Sequence, residues 1–476
     1  MSKGKFAKNA GMLMLMELGI RGMDALVVFI LARYLAPEGF GLLAFALAFS
    51  GLFGILPGFG MGALTIRNVA RAPDQLNRFL INGLIVKLML AGITLAIIGL
   101  GSRLFGHSPE RQWIVMLAGV LMILETNVDF ILSFFQAMEK MGTVAAVSLA
   151  VRVGWVVSSI AVMLFRGGIV ELLEVRIAVT VLGLLVSLGL THFRLQRLSW
   201  NFDPVFSWNI LRDSLPFALF RVWMQLYGDT DTVMLSTMRG DVVTSFYVAA
   251  QKILRVFAFI PSGFGAANLP EMSRSSKQSH SALTRMIARR CKYLMIISLA
   301  ISGMTFVIAD WLVVFLFGKA YQGAESVLRF AIWSMPFTFM NGTILSAIAA
   351  VNCEQAGSNR LFVGLLFSVL SNFVVIPFYG PMGAAATTAL SRAFVFYLEM
   401  QLLREILPDL KLLCVRRLML ATILMIAAGW AGRAAGWPMA VIAASLAYGG
   451  TLILTQAVKP EEGTSLLKLF RLKGAD

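Results

Sequence analysis

The chain has 476 residues, of which 58% are hydrophobic and only 14% are charged, whereas soluble proteins carry about 25% charged residues. Its net charge is +16 and its isoelectric point is near 10.1, but no nucleic-acid-binding motif accompanies this charge, and the basic loops of a membrane protein explain it. The three cysteines, Cys291, Cys353 and Cys414, form no CxxC motif, which excludes a disulfide framework and a cysteine metal site.

Apolar runs of membrane-spanning length recur from one end of the chain to the other. About 20 apolar residues are enough to cross a bilayer as a helix. The pattern therefore predicts an all-α, polytopic membrane protein with about 14 transmembrane helices. The predicted spans are residues 10–34, 40–66, 79–101, 112–136, 141–165, 168–193, 213–237, 242–268, 292–317, 326–350, 358–378, 383–403, 414–432 and 437–457.

Lys and Arg are distributed unevenly over the loops between these spans. If the N-terminus is cytoplasmic, the cytoplasmic loops carry about threefold more basic residues than the opposite side, as the positive-inside rule requires. The densest group lies in residues 274–292. The sequence thus predicts that both termini are cytoplasmic. No loop exceeds about 25 residues, which leaves no room for a soluble catalytic domain.

An internal repeat indicates two lobes. The stretch ILPGFGMGAL at 55–64 returns as IPSGFGAANL at 260–269, and Glu139, Gly142 and Gly168 return 215 residues later as Glu354, Gly357 and Gly383. Repeats of six spans have the same orientation, as in many transporters. We expect an N-terminal lobe in residues 1–200, a C-terminal lobe in residues 201–405, and two additional helices with a tail in residues 406–476.

The repeated stretches each contain proline and glycine inside a predicted span. Pro57, Gly58 and Gly60 lie in the second span, and Pro261, Gly263 and Gly265 lie in the eighth. Such residues bend or break helices, and equivalent bends in two lobes suit alternating access. Close helix packing by small residues explains them equally well.

Charged residues inside the spans predict a polar cavity. Glu17, Arg21 and Asp24 share one stripe of the first helix at i, i+4 and i+7, and a single charge at the bilayer centre costs at least about 2.5–3.5 kcal/mol. Guanidinium groups bind phosphate in a bidentate manner, so we expect the bases to bind an anionic, phosphorylated substrate. The predicted substrate-binding residues of the central cavity are Arg21, Lys87, Arg152, Arg221, Lys252 and Arg255. The acids serve as coupling groups or counter-ions, and they are Glu17, Asp24, Glu125 and Asp129.

Four stretches of the sequence carry a family resemblance: LARYLAPEGFGLLAFALAFSGLFGILPGFGMG, FFQAMEKMGTVAAVSLAVRVGW, GDTDTVMLSTMRGDVVTSFYVAAQKIL and IPFYGPMGAAATTALSRA. They resemble the polysaccharide exporters, the Wzx-type lipid-linked oligosaccharide flippases of the MOP (MATE-like) superfamily. The resemblance implies two six-helix lobes plus two peripheral helices. It also implies flipping of an undecaprenyl-pyrophosphate-linked glycan across the bacterial inner membrane by alternating access. Family cavities are cationic, and Arg21, Lys252 and Arg255 lie on the matching helices here.

Three other functions compete with this one. A MATE-type cation-coupled drug exporter would prefer an acidic, aromatic-lined pocket, and a lipid II flippase belongs to the same superfamily. A membrane enzyme should offer a large extracytoplasmic loop or a catalytic His/Asp/Glu set, and the sequence contains neither. We therefore expect a transporter without a cofactor or metal, with H⁺ and Na⁺ both open as coupling ions. The expected partners are the lipid-linked glycan, membrane lipids, and a glycan polymerase and glycosyltransferases.

Overall fold

A computed structural model describes residues 3–197, 199–258, 260–261, 271–276, 279–351 and 353–457. Within these ranges the backbone forms helices and no strands, which confirms the all-α prediction. Short 3₁₀ turns and a helical stretch at 271–276 join the longer elements. The helices are α1 (Lys3–Phe53), α2 (Ile55–Gly58), α3 (Met61–Arg71), α4 (Leu76–Leu104), α5 (Pro109–Ala137), α6 (Met141–Leu164), α7 (Ile169–Arg194), α8 (Pro204–Arg239), α9 (Asp241–Phe257), α10 (His280–Phe317), α11 (Ala324–Ala331), α12 (Met335–Ala350), α13 (Glu354–Ile406), α14 (Val415–Gly432) and α15 (Trp437–Leu454).

Two of the longest helices are each interrupted by a residue that precedes a proline. In α1 this residue is Ala36, with φ 56° and ψ 174°, and in α13 it is Gly380, with φ 54° and ψ −132°. The proline ring disfavours helical conformation in the preceding residue. Each helix therefore consists of two segments, and the breaks fall where the sequence separates the first span from the second and the eleventh from the twelfth.

The predicted bend in the second span is confirmed, and it is a complete break. The predicted span 40–66 ends as a continuous helix at Phe53, and two short helices, α2 and α3, follow it. Phe59 and Gly60, between them, both have left-handed backbone conformations, with φ 33° and 67°. The corresponding stretch of the second repeat, at 262–269, lies outside the described residues.

Eight helices in the described ranges are long and apolar enough to cross a membrane. They include the segment Gly22–Phe53 and the helices α4, α5, α6, α10, α13, α14 and α15. Helices such as α9 and α12 fall short of 18 residues. The polytopic prediction is confirmed, whereas the count of 14 spans stays a prediction.

The chain packs into two compact units. Unit 1 comprises Met1–Lys252 and Leu365–Ala384, and unit 2 comprises Ile253–Gly364 and Ala385–Asp476. These units are defined by packing in the structure, whereas the predicted lobes, with boundaries at residues 200 and 405, are defined by the sequence repeat of six spans. That division stays a prediction.

In unit 2, the two additional helices pack on α10. The side chains of Met425 and Thr422 on α14 lie over Gly303 of α10, where a Cβ would come within 2.9 Å of the Met425 sulfur. Trp311 of α10 stacks on Trp437 of α15 at 4.5 Å between ring centroids. Charge adds to this packing, because Asp310 of α10 pairs with Arg433, which follows α14. Close contact through a glycine, together with an aromatic stack and an ion pair, fixes α14 and α15 to this unit.

In unit 1, a polar network fastens the segment before α8 onto α4. Asn82 is fully buried, and its amide donates to the carbonyl oxygens of Arg78, at 2.8 Å, and Asn201, at 3.0 Å. Its oxygen accepts from the backbone N–H of Asp203, at 2.8 Å, and the hydroxyl of Ser207, at 3.0 Å. All hydrogen-bonding groups of one buried amide are thus satisfied, which fixes the start of α8 against α4.

Asp203 also caps the start of α8. Its Oδ1 accepts from the backbone N–H of Phe206 at 3.0 Å, and its Oδ2 pairs with Arg78. The Phe206 N–H and the Arg78 guanidinium, in that order, lower the pKa of this carboxyl. The cap is therefore ionised at neutral pH, as an anion at a helix N-terminus should be.

Lys87 connects α4 to the break between α2 and α3. The side chain is 1% exposed, its Nζ donates to the carbonyl oxygen of Pro57, and it lies 5.5 Å from the ring centroid of Phe130. Because the chain leaves helical geometry after Gly58, this carbonyl needs a donor from elsewhere. The ammonium supplies it.

We expect Lys87→Met to lower the free energy of unfolding by about 1–2 kcal/mol, because the Pro57 carbonyl then loses a buried donor. Removing a buried charge offsets part of the loss. Thermal unfolding of the detergent-solubilised protein measures this change. Lys140→Met is the matched control, since Lys140 also donates to a backbone carbonyl, that of Arg194 at 2.7 Å, but from an exposed position. An equal loss of unfolding free energy in the two variants would contradict the prediction that Lys87 stabilises the break between α2 and α3.

Candidate functional site

An ion pair joins α1 to α6 within the membrane-spanning part of unit 1. Arg152 Nη1 lies 3.2 Å from Asp24 Oδ1, and both side chains are more than one third exposed, at 37% and 36%. Asp24 was predicted as a coupling group or counter-ion, and here it serves as the counter-ion of Arg152. This pair therefore offers one basic and one acidic group at an accessible surface.

A second ion pair joins α5 to α7. Arg176 Nη2 lies 2.8 Å from Glu125 Oε1, and the guanidinium lies 4.4 Å above the ring of Trp155 on α6. The Glu125 side chain is 43% exposed, whereas that of Arg176 is 17% exposed. Arg176 was not among the predicted site residues, although its position inside a predicted span was a usable signal.

The two ion pairs occupy the same part of unit 1. Arg152 and Trp155 are three residues apart on α6, so they share one face of that helix. Arg152 bonds to Asp24, and Trp155 contacts Arg176. Asp129, four residues after Glu125 on α5, is exposed. We call Asp24, Glu125, Asp129, Arg152, Trp155 and Arg176 the charged site of unit 1.

The other predicted site residues have different surroundings. Lys87 is buried against the backbone, as described above, so its ammonium faces the protein in this structure. Arg255 is exposed and Lys252 is half-buried near the end of α9. The side chains of Glu17, Arg21 and Arg221 lie outside the described part of the chain. Substrate binding by the six predicted bases therefore stays a prediction.

A buried carboxylate on α8 forms a further polar cluster that sequence reasoning did not select. Asp231 is 5% exposed, and it accepts hydrogen bonds from the hydroxyl of Tyr247 at 3.0 Å and the amide of Asn372 at 2.6 Å. The hydroxyl of Ser368 lies 3.4 Å from it. These groups come from α8, α9 and the first segment of α13, and all belong to unit 1. We call them the Asp231 cluster.

The turn between α8 and α9 is held against α1 and α5. Arg111 forms two bonds to the Asp241 carboxylate, at 2.9 and 3.2 Å, and one to the Ser236 hydroxyl at 2.7 Å. Its guanidinium lies 4.0 Å over the ring of Phe45. The backbones also meet, because a Cβ on Gly41 would lie 1.9 Å from the Asp241 carbonyl oxygen. The predicted topology, from the positive-inside rule, would place this turn on the extracytoplasmic side.

His107 packs beside this contact, in a group of aromatic rings. Its ring centroid lies 5.3 Å from that of Phe45 and 6.0 Å from that of Phe105. Burial, and then the charge of Arg111, lower the pKa of His107, and Asp241 opposes them. The imidazole is therefore neutral at pH 7 and adds no positive charge beside Arg111.

No group of three or more His, Cys, Asp and Glu side chains in the described ranges is arranged to hold a metal ion. The charged site and the Asp231 cluster can instead exchange protons, pair with ionic ligands and donate hydrogen bonds. The charged site includes residues of α1, α5 and α6, which are candidate membrane spans, and polar groups inside such spans mark functional surfaces.

Comparison with known proteins identifies the family. The family model of the polysaccharide biosynthesis proteins matches residues 6–276, more than half of the chain. The chain belongs to this family. Among curated proteins, the one named "Putative O-antigen transporter" from Shigella dysenteriae is 25% identical over 382 residues, which cover 76% of this chain and 92% of the relative.

Solved structures show which fold this polysaccharide biosynthesis protein shares. Lipid II flippase MurJ in an inward closed conformation aligns with a TM-score of 0.72 at 14% identity, over 92% of this chain and 98% of that one. An inward-facing MATE multidrug resistance transporter of the MOP superfamily aligns with a TM-score of 0.69 at 16% identity, over 85% and 98%. Together with the family match and the O-antigen transporter relative, these shared folds confirm the resemblance to Wzx-type flippases of the MOP superfamily. The O-antigen transporter relative and both fold neighbours are named as transporters or flippases, in agreement with the expectation of a membrane transporter.

Proposed function

We propose that this chain flips an undecaprenyl-pyrophosphate-linked oligosaccharide or polysaccharide repeat unit from the cytoplasmic to the periplasmic leaflet of the bacterial inner membrane, by alternating access and with both termini in the cytoplasm. The observation that carries the proposal is the family match over residues 6–276, together with an O-antigen transporter as a relative along 92% of its length. The lipid II flippase and the drug transporter are similar to this chain in fold alone, so they do not favour another substrate.

The charges inside the spans fit such a substrate. A pyrophosphate that crosses the hydrocarbon region needs compensating charge that lipid cannot supply. Arg152, in the charged site of unit 1, is more than one third exposed while it pairs with Asp24. Arg255 is exposed near the end of α9. Guanidiniums at accessible positions are suited to bidentate contact with a diphosphate.

The test is flipping by purified protein in liposomes. A fluorescent undecaprenyl-pyrophosphate glycan is placed in one leaflet, and a reagent that does not cross the membrane reports how much glycan reaches the other. We expect flipping of this lipid, and we expect Arg255→Ala to reduce the rate at least tenfold and Arg255→Lys to reduce it less. Arg285→Ala, in a predicted cytoplasmic loop, is the matched control and should flip normally. Flipping of lipid II alone, or transport of cationic drugs alone, would reject the proposal.

Coupling through α5 is a separate prediction. Glu125 is partly exposed while paired with Arg176, and Asp129 is exposed one turn away, so both carboxylates are placed to exchange protons as the cycle proceeds. We expect Glu125→Gln with Asp129→Asn to flatten the dependence of the flipping rate on pH. Glu110→Gln, an exposed carboxylate in the first turn of the same helix, should leave that dependence intact. An unchanged pH profile in the double variant would exclude coupling through these two groups.

A further inference from the structure

Glu399 is a buried carboxyl group that the proposed function does not use. It lies in the second segment of α13, in unit 2, within the candidate membrane span Gln355–Ile406. The residue is 1% exposed, and its Oε2 has no hydrogen-bond partner among the described residues. A carboxylate anion with an oxygen in this state would carry the full cost of desolvation. A neutral carboxylic acid would avoid most of that cost.

Within the described ranges, two other helical segments have close side-chain contacts with this segment of α13. The first segment of the same helix approaches so closely that a Cβ on Gly364 would lie 2.1 Å from Val395 Cγ2. From α12, Phe337 meets Phe396 at 5.8 Å between ring centroids. The sequence of α12, MPFTFMNGTILSAIAA, contains no ionisable side chain. Any charge that faces Glu399 from these two elements therefore comes from the first segment of α13.

Among the charged side chains that the structure describes in that segment, this is Arg360, and its donors are bonded elsewhere. Its Nε donates to the carbonyl oxygen of Leu398, the residue before Glu399, at 2.9 Å, and its Nη1 donates to Ala356. Its Nη2 lies 3.7 Å from Glu405 Oε1. Arg360 is thus bonded to the residue next to Glu399, but it forms its ion pair with Glu405.

The other charged groups on the second segment of α13 also have partners. Arg392 donates to the hydroxyls of Ser334 and Thr338, at 3.2 and 2.8 Å. Arg404 donates to the carbonyl oxygen of Leu410 at 3.2 Å. These bonds keep both guanidiniums in place without an ion pair to Glu399.

The repeat shows that the fold does not require this pair of residues. With the offset of 215 residues, the positions equivalent to Arg360 and Glu399 in the first repeat are Ala145 and Leu184. Both are apolar. A carboxyl and a guanidinium at the second copy of these positions therefore serve something other than the packing that the two repeats share.

We propose that Glu399 is a proton-binding site of unit 2. Its side chain is a neutral carboxylic acid in this structure, and it ionises when Arg360 leaves Glu405 and pairs with Glu399 instead. On ionisation the carboxyl O–H bond breaks, the proton passes to water, and the electron pair stays on the carboxylate beside the guanidinium. The proton site stands on the local geometry alone. Its use to drive transport rests on the proposed flipping function.

Infrared spectroscopy of the purified protein tests the proton directly. A protonated carboxyl gives a carbonyl band that is separate from carboxylate bands and shifts in deuterium oxide. We expect this band at neutral pH in the wild type and its partial loss in Glu399→Gln. Glu405→Gln is the matched control, because Glu405 is 67% exposed on the same helix and should contribute no such band. An identical band in wild type and Glu399→Gln would overturn the proposal.

Two more variants separate the proton site from other roles. Glu399→Gln resembles the neutral acid, so it should keep the thermal stability of the wild type, whereas Glu399→Lys should lower it because a cation then takes the buried position. Arg360→Gln should extend the carbonyl band to higher pH, since it removes the charge that favours the anion. No extension would overturn the exchange with Arg360. If liposomes show no glycan flipping but the band depends on Glu399, the proposed function fails and the proton site stands.

Discussion

Replacing Asp231 with Ala is expected to lower the free energy of unfolding by about 3 kcal/mol. The substitution removes the carboxylate that accepts from the Tyr247 hydroxyl and the Asn372 amide, with Ser368 nearby, and the loss of a buried hydrogen-bond acceptor costs about 1–3 kcal/mol. Asp231 is only 5% exposed, so water does not readily take the place of its carboxylate. Thermal or urea unfolding of the detergent-solubilised protein, followed by tryptophan fluorescence, gives the change.

Graded variants show whether the lost acceptor is the cause. Asp231→Asn keeps one acceptor oxygen and should cost about 1 kcal/mol, and Tyr247→Phe, which removes one donor, should cost about the same. Combined with Asp231→Ala, Tyr247→Phe should recover part of the lost free energy of unfolding, because the Tyr247 hydroxyl that donated to Asp231 is then absent as well. Asp213→Ala, an exposed acid on the same helix, is the control. Strictly additive losses in the double variant would contradict the hydrogen-bonded cluster.

The sequence predicts where helices run and where they break. Membrane helices need long apolar runs, and helical geometry is disfavoured for a residue before proline, so the breaks at Ala36 and Gly380 agree with local sequence. The break after Gly58 includes Gly60, whose left-handed conformation suits a glycine. These features depend on the residue and its immediate neighbours, which is the information that a single sequence contains.

Partners of the charged residues could not be predicted in the same way. Spacing placed Glu17, Arg21 and Asp24 on one stripe of a helix, but it did not show that Asp24 bonds to Arg152, 128 residues later in the chain. It identified Lys87 as a charge in a span, but the Pro57 carbonyl becomes its acceptor only because α2 ends beside α4. Helix period gives the face of a residue, whereas its neighbour depends on how helices pack.

Topology reasoning had a similar limit at the extracytoplasmic side. The charge asymmetry of the loops predicts only that Arg111 lies on the less basic side of the membrane. The structure shows that it is a specific ion-pair partner, with two bonds to Asp241 and a ring beneath it. Its carboxylate partner lies at the start of α9, in the predicted C-terminal lobe. Counting charges per loop gives orientation, and it carries no information on pairing.

This ion pair gives the second large effect: Asp241→Ala is expected to lower the free energy of unfolding by about 2–3 kcal/mol. Removing one partner of a buried pair costs about 3–5 kcal/mol, because the other charge stays buried and unpaired. Arg111 and Asp241 retain 20% and 15% exposure, so solvent reduces this cost. The same unfolding measurement applies, and Glu110→Ala, an exposed acid one residue before Arg111, is the control.

Two independent variants decide whether pairing at this turn causes the effect. Exchanging the charges, with Arg111→Asp and Asp241→Arg together, should recover part of the stability lost by either single change, since the pair re-forms in reverse. Gly41→Ala touches no charge, but its Cβ would lie 1.9 Å from the Asp241 carbonyl oxygen, so it should push the turn away from α1 and weaken the same contact. If Gly41→Ala and Asp241→Ala both left the unfolding curve unchanged, this turn would not be held by α1 and α5 in the folded protein.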